Sequence, residues 1–108
     1  MMSSATVFAG TIAFDITSPS DPRSYREPKD DTEQMFYVTG NTFEGDDSMK
    51  CWSTQVINKD VTSASVYISI REPAKRAQYG KYAAPGLEYY MWGTTYYTGA
   101  RVTGWYTP

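Results

Sequence analysis

The scarcity of leucine constrains the fold of this chain more than any other feature. Leu87 stands alone, whereas the chain has ten tyrosines and thirteen threonines. Helices that pack into bundles draw on leucine, while strands draw on β-branched and aromatic residues, so the bias points to sheets. Leu, Ile, Val and Phe together make up only about 15% of the residues, a level associated with disorder when net charge is high. Here the net charge is −2, and ten tyrosines with three tryptophans can bury the area that the missing aliphatics would have supplied. A chain of 108 residues has the size of one domain, so a single β domain over residues 1–108 is expected.

Alternation places the strands. Phe8, Ile12, Phe14 and Ile16 share one parity in a strand over 6–17, bent at Gly10. Val66, Ile68 and Ile70 alternate with Ser65, Tyr67, Ser69 and Arg71 in the clearest strand, over 63–71. Met35-Phe36-Tyr37-Val38 is a continuous apolar run within a strand over 34–39, which suits burial on both faces. A turn with three acids follows over 41–48, then a strand over 49–58. Residues 18–32, with three prolines and dense charge, read as a long polar loop or arm that has little to bury and needs a partner or ligand to order it. Pro73 and Gly80 bracket a stretch able to form a short helix over 73–79. Strands over 87–98 and 101–107 meet at Gly99-Ala100, which fits a two-residue type II′ hairpin turn. The expected fold is all-β: a single antiparallel β-sandwich or small barrel of about six strands with at most one short helix.

Several chemistries are poorly served. Without histidine, the chain lacks the usual general base and the commonest transition-metal ligand, and with Cys51 alone it can form no internal disulfide or thiolate cluster. Cys51 itself reads as a small reduced core residue. Neither a dinucleotide fingerprint nor a phosphate-cradling loop is present. The acidic turn Glu44-Gly45-Asp46-Asp47 offers oxygen ligands but not the spacing of a calcium loop, and reads as a solvated turn. No enzymatic activity, no cofactor and no metal site are therefore expected. The near-neutral balance gives no footprint for nucleic acid. No apolar run approaches the roughly 18–20 residues of a membrane span, and Met1–Thr6 lacks the character of a secretion signal, so a cytoplasmic or virion location is expected.

The tryptophans carry the functional expectation. If Gly99-Ala100 closes a hairpin, Tyr90, Trp92, Tyr96, Arg101 and Trp105 share one face, while Leu87, Tyr89, Met91, Tyr97, Val102 and Tyr106 form the uncharged core face. Trp52 likewise shares parity with Lys50 and Thr54. Aromatic rings among hydroxyls and charges suit a protein interface, a platform for sugar rings, or a minor core beneath the 18–32 segment.

The run Ile12-Ala13-Phe14-Asp15-Ile16-Thr17, with Pro19 after it, resembles a stretch near the start of the fungal immunomodulatory lectin-like proteins, which are small β-sandwich dimers. The likeness covers under a tenth of the chain, and the N-terminal helix through which those proteins pair has no expected counterpart here. Two functions follow from the sequence. One is a non-enzymatic, self-associating structural subunit of the viral or phage capsid, decoration or tail type, whose partners are copies of itself or other protein subunits. The other is a carbohydrate-binding, lectin-like β-sandwich module.

Overall fold

The computed structural model describes residues 10–108. Its strands are β1 (Ile12–Thr17), β2 (Glu27–Pro28), β3 (Met35–Glu44), β4 (Ser48–Gln55), β5 (Val66–Ser69), β6 (Ala74–Gln78), β7 (Glu88–Thr94) and β8 (Arg101–Thr107). They build two four-stranded sheets, ordered β1-β8-β3-β6 and β2-β7-β4-β5. Every strand pair is antiparallel, and the two sheets face each other as a β-sandwich. Eight strands replace the six expected, and residues 6–9 of the expected first strand, Phe8 included, lie outside the described residues. Among the described residues no helix is long and apolar enough to cross a membrane.

Aromatic side chains fill the space between the sheets. Phe14, Phe36, Val38, Val102 and Tyr106 from the first sheet meet Met49, Cys51, Ile68, Tyr89 and Met91 from the second. A buried tyrosine is stable only if its hydroxyl finds a partner. Tyr106 donates to the Tyr25 carbonyl at 2.6 Å, Tyr89 to the Ala84 carbonyl at 3.0 Å, and Tyr79 to Ser53 Oγ at 2.7 Å. This is how a chain with one leucine builds a core: tyrosines supply the area, and their hydroxyls are bonded at the core's margins.

Several expectations are overturned. The stretch expected as a helix, 73–79, contains β6, where Ala77, like Tyr79 just after the strand, is buried while Ala74, Arg76 and Gln78 are exposed. Pairing with β3 from Met35↔Gln78 to Thr39↔Ala74 overrides the high intrinsic helix propensity of Ala-Lys-Arg-Ala-Gln. Strand β3 also runs on through the expected turn as far as Glu44, with a register shift between Gly40 and Thr42. It is buried at Phe36 and Val38, while Met35 and Tyr37 are only half-buried, so it is not covered on both faces.

The segment 18–32 hydrogen-bonds to its own chain. Ser24 N donates to the Met91 carbonyl, Lys29 N to the Leu87 carbonyl, and Gly93 N to the Pro22 carbonyl. Arg23 bridges to Trp92, and β2 pairs with β7, so the segment forms an edge of the second sheet.

The last correction decides the site. Strands β7 and β8 do not form a hairpin, because they belong to different sheets. Gly99 has the positive φ of 84° that a glycine turn provides, but the connection crosses the sandwich. Its polar groups are bonded elsewhere: Gly99 N donates to the Ser18 carbonyl, and Tyr96 N and Tyr97 N donate to the Asp46 carboxylate at 3.0 and 3.2 Å. Burial works against the charge on Asp46, but amides of Tyr97, Ser48, Asp47 and Tyr96 outweigh it and hold the carboxyl below its usual range. The acidic turn thus anchors a loop.

Candidate functional site

The crossing connection separates the residues that a hairpin would have united. Trp105, on the outer face of the first sheet, lies between Ala13 and Thr39 and is 45% exposed. Arg101, on the same sheet, holds Asp15 with two bonds, Nε to Oδ1 at 2.9 Å and Nη2 to Oδ2 at 2.7 Å. That hydrogen bonding lowers the Asp15 carboxyl below its usual range and occupies the fork of the guanidinium. Tyr96 sits on the crossing loop, 88% exposed, edge-on to Tyr97. Tyr97, expected in the core, is exposed as well.

The remaining three residues come together on the outer face of the second sheet. Trp52 and Trp92 are direct cross-strand partners in β4 and β7, so their rings lie side by side, 6.5 Å between centroids and 13° from parallel. Tyr90, two residues along β7 on the same face, meets Trp92 edge-on at 5.7 Å. Alternation puts Lys50 and Thr54 on this face from β4, and Tyr67 beside Lys50 from β5.

Cations accompany each ring. Arg23, in register with Trp92, places its guanidinium 4.9 Å from the Tyr90 centroid and 5.8 Å from that of Trp92. Lys50 lies 5.9 Å from Trp52, and Lys59 lies 5.3 Å from Tyr90, in the range of cation–π attraction. Lys59 Nζ also donates to the Tyr90 hydroxyl at 2.6 Å. That bond, with the charges of Lys59 and Arg23, holds the hydroxyl below the ordinary tyrosine range despite the opposing effect of burial. Tyr90 is buried although it points outward, because the 23–26 and 56–59 segments close over it.

Two depressions adjoin this cluster. A pocket of about 370 Å³ is walled by Arg23, Arg26, Val56, Lys59 and Tyr90. An open groove of about 1080 Å³ runs between β1 and residues 21–25 and includes Trp92 in its lining. Arg23, Ser24 and Tyr25 line both, so the two adjoin. Arg23, Arg26 and Lys59 were not candidates from sequence, since they fall in segments that read as loops. The spacing of Arg23 and Arg26 around Tyr25 was the available signal. Comparison of the chain with known protein families, curated proteins and solved structures finds no match.

Proposed function

We propose that this protein is a non-enzymatic, carbohydrate-binding β-sandwich module whose working surface is the outer face of the second sheet. The observation that carries the reading is the cross-strand pair Trp52 and Trp92, near parallel and half-buried, on a face that also bears cations and hydroxyls. The C–H faces of a pyranose stack on such rings, while its hydroxyls require polar neighbours. Thr94 and Ser48 supply hydroxyl groups on this face, and the groove beside Trp92 gives an oligosaccharide a track to follow.

A second reading, the self-associating structural subunit, is favoured by the first sheet. There Trp105 is half-exposed among threonines, and β1 is an edge strand that, apart from β8, is bridged among the described residues only at Thr17, by Asp21. A free edge can template pairing with another copy.

Size-exclusion chromatography with light scattering, followed by a glycan array, separates the two. Retention of a glycan by a monomer or dimer, lost in Trp92→Ala, supports the module. A large assembly that shrinks in Trp105→Ala and ignores every glycan supports the subunit.

A further inference from the structure

Basic side chains on this chain are unevenly matched. Among the described residues, Arg26, Lys29, Lys75 and Arg101 have carboxylate partners. Arg23, Lys50, Lys59, Arg71, Arg76 and Lys81 have none, and the first three of these lie against the rings of Trp52, Tyr90 and Trp92. The chain as a whole has net charge −2, so this concentration of positive charge is local. Around the small pocket Arg23 and Lys59 are joined by Arg26, whose bond to Glu88 is long at 3.3 Å and exposed.

We propose that the pocket walled by Arg23, Arg26, Lys59 and Tyr90 is an anion site, and that the ligand of the tryptophan face is an acidic sugar. Its carboxylate or sulfate group enters the pocket while its ring lies against Trp92. The proposal rests on the reading of this face as a sugar platform.

Three physical points favour it. Like charges gathered around one cavity repel each other, and an anion placed among them turns that repulsion into attraction. The Tyr90 hydroxyl already accepts from Lys59, so its own proton is free to be donated to a ligand oxygen. Charge-assisted bonds from a guanidinium fork to a carboxylate or sulfate are the strong, directional kind.

The geometry also discriminates among anions. Nucleic-acid binders bear an extended basic stripe, which a chain of net charge −2 does not present. An acidic peptide adding to the sheet would need open edge groups beside β7, and residues 22–29 already bond there.

The test is an array of neutral, uronate-bearing, sialylated and sulfated glycans, followed by titration calorimetry with the best acidic glycan and its neutral counterpart, in which the acid is esterified or removed. The acidic form should bind about tenfold more tightly, with the preference shrinking as salt is raised. Arg23→Gln and Lys59→Gln, both at exposed positions, should each remove most of that preference, weakening the acidic form far more than the neutral one, with the melting temperature nearly unchanged. Trp92→Ala should weaken both forms. Equal affinity for the two forms overturns the anion site and leaves the platform reading standing. Binding to no glycan overturns both. Tighter binding to a thymidine oligonucleotide than to any glycan also overturns the proposal.

Discussion

Lys29 carries a charge into the interior of this protein. Its side chain is 0% exposed, and its ammonium donates to Asp31 Oδ1 at 3.0 Å and to the Pro108 main-chain oxygen at 3.1 Å, with the Tyr79 ring 5.5 Å away. Truncating a buried cation leaves its acceptors unpaired and a void where its stem was. Lys29→Ala should therefore lower the unfolding free energy by about 3 kcal/mol, and Lys29→Met, which restores the stem, by clearly less. Urea titration of the two variants checks this, and an alanine variant as stable as the parent would refute it. Nothing in Pro28-Lys29-Asp30-Asp31 marks the lysine as buried, because the carbonyl and ring that hold it lie far along the chain. Cys51, by contrast, was legible as a small core residue. Burial pushes its thiol up to about 12, so almost none is thiolate near neutral pH. Native protein at pH 8 should resist a thiol reagent that labels it at once in urea; rapid native labelling would place Cys51 at the surface.

At the scale of elements, the 18–32 segment shows how a polar stretch can be ordered without an apolar face. Its main chain supplies what its side chains do not. The Ser24 amide donates to the Met91 carbonyl in β7 and the Lys29 amide to the Leu87 carbonyl just before it, and Ser24 Oγ accepts from the Met91 amide at 2.8 Å. Hydrogen exchange on a dilute sample should therefore find the Ser24, Lys29 and Met91 amides protected. Exchange at the rate of a free peptide would show that the segment is held by something other than its own chain. Strand β6 teaches a related lesson. The buried Ala77 and Tyr79 alternate with the exposed Arg76 and Gln78, a short period-two signal that was present in the sequence. Pro73 and Gly80 read equally well as helix punctuation, and only the presence of β3 alongside decides between the two.

At the scale of the whole molecule, the sandwich puts its tryptophans on opposite outer faces, so variants on the two sheets should fail in different ways. Trp105→Ala should alter stability by only about 1 kcal/mol and leave binding at the Trp92 face intact. Met91→Ala, at the centre of the core, should cost about 3 kcal/mol through the cavity it leaves. Thermal melts with parallel glycan binding check the pair, and a Trp105→Ala variant that lost the glycan would show that the two faces act together. What the sequence by itself determined was side-chain parity: Tyr89, Met91, Val102 and Tyr106 are buried, and Trp92 and Trp105 point outward. Parity is a property of a single extended backbone, so alternation reveals it without reference to any neighbour. What only the tertiary structure decided was adjacency. Gly99-Ala100 is compatible with a hairpin or with a crossing, and the choice depended on Ser18 and Asp46, which take up the amides of the connecting loop. That choice moved Trp105 to the far sheet and brought Trp52 beside Trp92. Such pairing is set by contacts between distant segments, which a local pattern of residues does not encode.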